Sequence, residues 1–381
     1  ENPIISDAVY KLNLMTLVQP FGFSVIESFV RPNANFSRKG SDMSVTAKEL
    51  AQKLGLSATA VSMALNNKAG VSTETRARII KAAEEYGYDF TKVKRDPNHS
   101  GSIYIIFYRT HNAILSYSPI FNELYDGIKN ECQKEHFTVK MMQFYEKTDV
   151  LEECFSDLRV SDCKGVILVG TEIRQDVCRQ FLAQGYPLIL LDTYFDGLEC
   201  TSVLINNTQG AYVATNYLIA NTGAQPGYLQ SSYSIPNFIE RQEGYFKAIK
   251  ENGMSPSRSI VHKLSPSIEA AMADMLEIIG RNDPLAGCYF ADNDIIAIGA
   301  MKALMLRGYK IPEDISVIGF DNISESKIIE PSLTTMDVPR LYIGKTAARL
   351  LVEQIDSKVV YTSKVEIAAR LVKRFSCMAA G

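Results

Sequence analysis

The chain has 381 residues, of which 46% are hydrophobic and 22% charged, and its formal net charge is -3. A chain of this length exceeds one ordinary hydrophobic core, so we expect a soluble protein of two or three domains. The sequence shows neither an apolar run of about eighteen residues nor a basic segment followed by an apolar one, which argues against a membrane span and a secretory signal. The expected location is therefore the cytoplasm.

The seven cysteines and four histidines are scattered through the sequence, and no two cysteines have CxxC spacing. Buried thiols are a better interpretation than a disulfide framework or a zinc site. His111 and His136 are expected on the surface or in packing contacts rather than as ligands. We therefore expect neither a metal nor another cofactor.

The charge is unevenly distributed. Residues 43–99 carry nine Lys and Arg against six Asp and Glu, whereas residues 100–381 have a net charge of -6. The basic excess weakly favours contact between the front segment and a polyanion. Residues 1–42 show no clear helical or strand period, and we interpret them as an upstream extension or one introduced by cloning, with a functional arm as the alternative.

Residues 43–91 predict three short helices. Thr46 and Glu49 form a capping box at the start of the first helix, and a glycine ends it. Ser57 and Ser72 cap the second and third helices. The expected inward residues are Leu50 and Leu54 in the first helix, Val61, Ala64 and Leu65 in the second, and Ala77, Ile80, Ala83 and Tyr86 in the third. Three short helices, the first two joined by a glycine turn, indicate a helix-turn-helix unit.

Beyond a polar linker at residues 92–101, short apolar runs alternate with helical stretches, as in parallel α/β proteins. The expected strands are 103–107, 165–169, 187–191 and 316–320, and the expected helices are 120–135, 175–184, 208–220, 240–252 and 294–307. Residues 102–381 are long enough for two doubly wound lobes, and ligands of such lobes bind in the cleft between them, where strands end. The expected limits are about 102–205 and 337–360 for lobe 1, and about 206–336 and 361–381 for lobe 2.

Five motifs follow one another along the chain. The first is VTAKELA at 45–51 with GLSATAVSMALN at 55–66, and the others are RQEGY at 241–245, DNDIIAIGA at 292–300, IPEDISVIGFD at 311–321 and PSLTT at 331–335. Together they resemble the LacI/GalR family of transcription regulators over essentially all of residues 44–381. Each motif is weak by itself, but five in the right order are specific. The resemblance implies an all-α helix-turn-helix headpiece joined to a two-lobed α/β body like that of periplasmic binding proteins.

The resemblance implies that the second helix of the headpiece lies in the major groove of DNA, where base edges are distinguishable. It implies base contacts from Ala58, Thr59 and Met63, phosphate contacts from Ser57, Ser62, Asn66, Ser72 and Thr75, and a further DNA contact from Thr46. Ala58 and Met63 can contact a thymine methyl but cannot make the bidentate guanine contact, so a less polar base readout is expected. Helix capping is the alternative role of the hydroxyl side chains, and the two roles are compatible.

The linker departs from the family pattern Y-x-P-N-x-x-A-x-x-L, which forms a short helix on operator DNA and inserts its leucine into the minor groove. Tyr88 matches, but the other four positions hold Phe90, Thr91, Lys94 and Pro97. A proline inside this helix breaks it, and no large apolar residue replaces the leucine. We expect a weak or absent hinge helix, with Lys92, Lys94 and Arg95 mainly contacting phosphates.

For the cleft, the resemblance assigns Arg241, Asn293 and Asp321 to the hydroxyl groups of a neutral polyol or sugar. Guanidinium, amide and carboxylate offer donors and acceptors in fixed directions, which suits such a ligand. An ion pair between the lobes is the alternative for Arg241 and Asp321. Asp192 follows an expected strand and is a weaker candidate, with loop capping as its alternative. The candidate stacking residues, with core packing as their alternative, are Tyr117, Phe121 and Phe238.

The resemblance thus implies a sequence-specific DNA-binding regulator, a repressor of carbohydrate-utilisation genes whose operator affinity changes when a small ligand, expected to be a sugar, binds in the cleft. Its expected partners are a roughly palindromic operator, this effector and a second copy of the chain. Release of repression by the ligand is the expected sign, and co-repression stays open.

Two other classes of protein are weighed against this one. An enzyme is disfavoured because the sequence has no GxGxxG after a strand, no GxxxxGK[ST] and no GxSxG, and because Asp292, Asp294 and Asp321 have no nucleophile or metal ligands beside them. A solute-binding protein that feeds a transporter would share the body, but the headpiece argues for DNA.

Overall fold

The structure, a computed structural model, describes residues 45–66, 70–88, 100–110, 118–357 and 361–378. The expectations for residues 1–42, for the hinge residues Lys92, Lys94 and Arg95, and for Tyr117 fall outside these ranges. No helix of the described residues is long and apolar enough to cross a bilayer.

The described residues of the headpiece form three helices, α1 (Ala47–Leu54), α2 (Ala58–Leu65) and α3 (Thr73–Glu85). The predicted capping box is present, since the Glu49 N–H donates to Thr46 Oγ1 at 3.3 Å and the Thr46 N–H donates to the Glu49 carboxylate at 2.8 Å. Gly55 ends α1 at a φ of 66°, a left-handed conformation that costs glycine little. The local signals in the sequence therefore place the boundaries of α1 correctly.

The core of the headpiece confirms the inward residues predicted for α2, because Val61, Ala64 and Leu65 are buried. The prediction for α3 is partly wrong. Ala77 is exposed because it lies on the face of α3 opposite Ile79, which is buried. Tyr86 is 43% exposed because it follows the last helical residue, where its ring lies 4.0 Å from the Lys53 ammonium group.

The body alternates strands and helices. Its first part contains β1 (Gly101–Arg109), α4 (Ser118–Lys134), β2 (Phe137–Tyr145), α5 (Leu151–Val160), β3 (Cys163–Val169), α6 (Gln175–Leu182), β4 (Leu188–Leu191) and β5 (Thr201–Asn206). Its second part contains α7 (Asn207–Thr222), β6 (Gly227–Ser231), α8 (Pro236–Glu251), β7 (Val261–Leu264), α9 (Ile268–Gly280), β8 (Cys288–Ala291), α10 (Asp294–Leu306), β9 (Ser316–Asp321), α11 (Glu325–Ile328) and β10 (Thr334–Asp337). The chain then forms α12 (Arg340–Asp356), β11 (Lys364–Ala368) and β12 (Arg370–Val372). The predicted strands and helices of the body are all present, with bounds shifted by at most four residues.

The described strands form two sheets of six strands each. The first has the order β11-β5-β4-β3-β1-β2, and all its pairs are parallel. The second has the order β12-β10-β9-β8-β6-β7 and is parallel except for the antiparallel pair of β10 with β12. The predicted class, a helical headpiece with two doubly wound α/β lobes, is confirmed.

The continuous apolar runs reflect helices on both faces of each sheet. In β1, Ile103, Ile105 and Phe107 belong to one buried cluster, whereas Tyr104 and Ile106 belong to another on the opposite face. Since successive side chains of a strand point to opposite faces, a strand covered on both sides must be apolar at every position.

The limits of the two lobes differ from the predicted limits in one segment. The chain leaves the first sheet after β5 and returns from β10 through α12, which packs on β3, β4 and β5. Residues 361–381 were expected in lobe 2, but β11 pairs in parallel with β5 and so belongs to the first sheet. The strand β11 forms the edge of the first sheet and β12 forms the edge of the second. The chain therefore passes from the first lobe to the second for the last time between Ala368 and Arg370.

Candidate DNA interface and effector cleft

The outward face of α2 carries the residues predicted to read bases. Ala58 and Thr59 are exposed, whereas Met63 is half-buried and its thioether packs against Gly70. The opposite face of α2 is held in the headpiece core. A helix anchored on one side and exposed on the other has the geometry needed to enter a major groove.

Three hydroxyl residues of the headpiece, Thr46, Ser57 and Ser72, are helix N-caps. Ser57 Oγ accepts the Ala60 N–H at 3.0 Å, and Ser72 Oγ accepts the Thr75 N–H at 3.2 Å and donates to Thr75 Oγ1 at 2.8 Å. The capping role is therefore present in the structure. The side chains of Thr46, Ser57, Ser62 and Ser72 are also exposed, and those of Asn66 and Thr75 are partly so. Exposed helix N-termini with unsatisfied N–H groups favour anions, so capping is compatible with phosphate contact.

A cavity of about 120 Å³ lies between the two lobes of the body. It is lined by every described residue that was predicted to contact the effector, namely Phe121, Asp192, Phe238, Arg241, Asn293 and Asp321. Asp192 follows β4, Asp321 ends β9 and Asn293 lies two residues beyond β8. The prediction that these side chains meet at the ends of parallel strands agrees with this geometry.

Arg241 is a buried polar side chain of the cavity that contacts several parts of the second lobe. Its side chain is 4% exposed, its guanidinium carbon lies 3.8 Å from the centroid of the Phe320 ring, and its Nε donates to Asn207 Oδ1 at 2.9 Å. Nη1 donates to the Asp292 carbonyl, and Nη2 lies 3.4 Å from Asp321 Oδ1. An ion pair between the lobes was the alternative for Arg241 and Asp321. The pair instead lies within the second lobe, because α8 packs on α7, which packs on β8 and β9.

Asp192 connects the lobes rather than capping its own loop. It follows β4 of the first sheet at a φ of 69°, and its Oδ1 accepts Asn237 Nδ2 from α8 of the second lobe at 2.9 Å. Its other oxygen accepts Thr171 Oγ1. Burial raises the pKa of Asp192, while the hydrogen bonds from Thr171 and Asn237 oppose that rise.

Two fully buried carboxyl groups flank Asn293 and support the backbone of the cleft. Asp292 accepts the Ser231 N–H at 2.6 Å and the Tyr228 hydroxyl, and burial raises its pKa to about 6. Asp294 accepts the Ile323 N–H at 2.9 Å and the Thr335 hydroxyl, and burial raises its pKa to about 8. Both hold the backbone that presents the cavity residues, and neither lines the cavity.

Asn293 also has a structural role. It is the N-cap of α10, and its Oδ1 accepts the Ile296 N–H at 3.0 Å. Oδ1 uses one lone pair in this bond, so Asn293 can offer a ligand the Nδ2 donor and the remaining lone pair of Oδ1. Within the part of the chain that the structure describes, no group of three His, Cys, Asp or Glu side chains could hold a metal ion.

Sequence reasoning missed three polar residues of the cavity, Thr171, Asn237 and Arg340. Asn237 lies one helical turn before Arg241 in α8, so the helical period from Arg241 would have identified it. Arg340 begins α12 and donates to the Asp321 carbonyl at 2.6 Å. Thr171 lies two residues beyond β3, so the argument from the ends of parallel strands would have identified it as well. No local signal identifies Arg340, because only the packing of the lobes brings it to the cavity.

A helix-turn-helix headpiece followed by two lobes around a cleft that holds several charged side chains defines a DNA-binding protein that responds to a small molecule. Residues 46–89 match the family of bacterial regulatory proteins named lacI, and residues 226–377 match the periplasmic binding protein-like domain. Both matches, in this order along the chain, support a LacI/GalR family regulator. The chain is therefore a DNA-binding transcriptional regulator and not an enzyme.

The chain matches two curated relatives over nearly their whole length. The chain is 28% identical over 335 residues to the HTH-type transcriptional repressor PurR of Mannheimia succiniciproducens. The aligned region covers 87% of the chain and 98% of that protein. The chain is also 28% identical over 344 residues to the repressor CytR of Escherichia coli, with 90% and 98% covered. Among solved structures, a LacI family regulator of Enterococcus faecium with bound ribose has a TM-score of 0.62 and 26% identity, and covers 73% of this chain and 98% of its own.

Proposed function

We propose that the chain represses transcription and that an effector in the interlobe cavity changes its affinity for operator DNA. The observation that carries this proposal is the convergence of Asp192, Arg241, Asn293 and Asp321 on one cavity. Arg241, Asn293 and Asp321 bind effector hydroxyl groups, and Asp192, Phe121 and Phe238 contribute further contacts. A carbohydrate is the proposed effector class, and the bound ribose in the Enterococcus faecium regulator supports it.

The same proposal assigns the headpiece to operator DNA. Ala58, Thr59 and Met63 contact bases. The phosphates are contacted by Ser57, Ser62, Asn66, Ser72 and Thr75 and by the linker cations Lys92, Lys94 and Arg95. Their outward orientation on α2 supports the base contacts. The names of the curated relatives, both transcriptional repressors, support the sign of regulation. The proposed site of action is the cytoplasm.

A homodimer is part of the proposal, because two headpieces related by a two-fold axis read a palindromic operator. Large apolar side chains of the second lobe support it, since Ile328 is 79%, Phe375 72% and Leu306 66% exposed. Effector binding in the cleft then acts on the spacing of the two headpieces, and release from DNA is the proposed result.

The DNA half of the proposal is tested with Ala58→Asp and a matched control. Position 58 begins α2, where an acidic residue favours the helix, so this variant should fold while its carboxylate repels DNA. We expect operator affinity to fall by about a hundredfold or more, measured by fluorescence anisotropy on an operator selected from random DNA. Ala77→Asp places the same charge on the exposed face of α3 and should change affinity far less. Equal affinities for the two variants would contradict the assignment of α2.

A further inference from the structure

The C-terminal end of α2, the helix proposed to read bases, has few stabilising features of its own. Its C-cap is Asn66, whose side chain donates to the Ser62 carbonyl at 2.7 Å, and its last turn contains no basic residue. The end of α1 differs, because Lys53 lies in its last turn and Gly55 closes it in a left-handed conformation. The end of a helix carries carbonyl groups without helical partners and a partial negative charge, so a cation from another segment stabilises α2 there.

Arg76 of α3 supplies this cation. Its Nη1 donates to the Ala64 carbonyl, in the last turn of α2, at 3.2 Å, and the two residues are 12 positions apart in the sequence. Arg76 is half-buried in this position. A hydrogen bond from a charged donor is stronger than one between neutral groups, and the planar guanidinium fixes its direction as well as its length.

This hydrogen bond joins two parts of the proposed DNA interface. Arg76 directly follows Thr75, a proposed phosphate contact in the first turn of α3, and Ala64 directly follows Met63, a proposed base contact in α2. The apolar core also packs α2 against α3, but apolar contacts have no preferred direction and resist small rotations weakly. The directional bond therefore holds the base-reading helix in register with the turn that contacts phosphate.

Arg78 provides a comparison within the same helix. Its Nη2 lies 3.4 Å from the Leu54 carbonyl, at the end of α1, and Arg78 is exposed. The end of α1 is already closed by Gly55 and Lys53, and α1 carries none of the proposed base contacts. The same substitution at positions 76 and 78 thus removes the same charge and the same kind of hydrogen bond from two different helices.

We propose that Arg76 is a positioning residue for operator recognition, which holds the end of α2 so that Met63 meets its base pair. Arg76 acts through α2 and does not contact DNA itself. This inference rests on the proposed function, since it requires that α2 reads bases. Loss of the bond lets the end of α2 shift, which weakens the fit to the operator more than the general attraction to DNA, because that attraction depends on phosphate charge.

The test compares Arg76→Met with Arg78→Met in the full chain, because methionine keeps an unbranched side chain without charge or donors. Fluorescence anisotropy measures affinity for an operator selected from random DNA and for a scrambled duplex of the same composition. We expect Arg76→Met to lower the ratio of the two affinities about tenfold, and Arg78→Met to lower it by less than about twofold. Arg76→Met should keep the salt dependence of the original chain, whereas loss of a direct phosphate contact would reduce the slope by about one.

Hydrogen exchange of the full chain, followed by mass spectrometry, measures the shift of α2 without DNA. Peptides that contain residues 58–66 should exchange at least about threefold faster in Arg76→Met, while peptides that contain residues 47–54 keep their rates. Arg76→Lys keeps a cation and a donor, so it should restore the affinity ratio to within about threefold of the original chain. If both helices exchange faster in Arg76→Met, the headpiece has unfolded, and Arg76→Gln, with a neutral donor, replaces it with an expected loss of about threefold.

Three results would overturn the inference. These are equal affinity ratios for the variants at positions 76 and 78, a salt slope reduced by about one in Arg76→Met, and unchanged exchange of residues 58–66. The second result would make Arg76 a phosphate contact instead. Unchanged operator binding by Ala58→Asp would refute the proposed role of α2, whereas weakened binding by Ala58→Asp with no effect of Arg76→Met refutes the positioning role alone.

Discussion

The headpiece and the cleft are held together over very different distances along the chain. In the headpiece, the capping contacts of the DNA-facing side join residues three or four positions apart, as in Ser57 with Ala60, and Arg76 and Ala64 are 12 apart. In the cleft, Arg241 and Asp321 are 80 positions apart, and Asp294 and Thr335 are 41 apart. The DNA-facing side of the headpiece therefore depends mainly on exposed local hydrogen bonds, which water can partly replace. The cleft depends on buried hydrogen bonds, which water cannot replace.

The largest effect is expected from removing the buried hydrogen bonds that support the cleft. Asp294→Ala removes the acceptor of the Ile323 N–H and the Thr335 hydroxyl, both inside the fold. Two buried donors without partners should lower the free energy of unfolding by about 3 kcal/mol, measured by chemical denaturation. Asp196→Ala, at an exposed position, should stay within about 0.5 kcal/mol of the original chain. Similar losses in the two variants would mean that the buried hydrogen bonds of Asp294 contribute no more to stability than an exposed side chain does.

A smaller effect is expected from the titration of Asp294, which should make the free energy of unfolding fall as pH rises. Burial raises its folded pKa to about 8, far above the unfolded value, so the folded state holds the proton more tightly. Its contribution to stability is complete below the unfolded pKa and is lost as pH rises through the folded pKa. Between pH 6 and pH 8 the original chain should lose about 2 kcal/mol of unfolding free energy that Asp294→Asn does not lose. Parallel pH profiles for the two proteins would mean that Asp294 does not titrate in this range.

The smallest expected effect belongs to the headpiece. Ser57→Ala removes the cap of α2, and the Ala60 N–H can then bind water, so the loss should be about 1 kcal/mol. Thermal unfolding followed by circular dichroism measures it. Ser62→Ala, in the interior of the same helix, should be neutral or slightly stabilising because alanine has the higher helix propensity. A loss for Ser57→Ala as large as that for Asp294→Ala would show that water does not replace this exposed local hydrogen bond.

The sequence alone predicted the features that depend on near neighbours or on the period of a single element. The capping box at Thr46, the end of α1 at Gly55 and the continuous apolar strands follow from short-range steric and hydrogen-bonding preferences. The meeting of Asp192, Asn293 and Asp321 was also predictable, because parallel strands place their carboxyl ends at one edge. The assignment of Arg241 came from the family resemblance rather than from any local pattern.

Only the tertiary structure decided how these elements meet. It placed β11 beside β5, brought Asn237 to Asp192 across the cleft, and put Arg340 on the Asp321 carbonyl. It also set which face of α3 is buried, against the expectation for Ala77. These outcomes depend on contacts between residues far apart in the chain, whose free energies arise from packing and burial that no single segment contains.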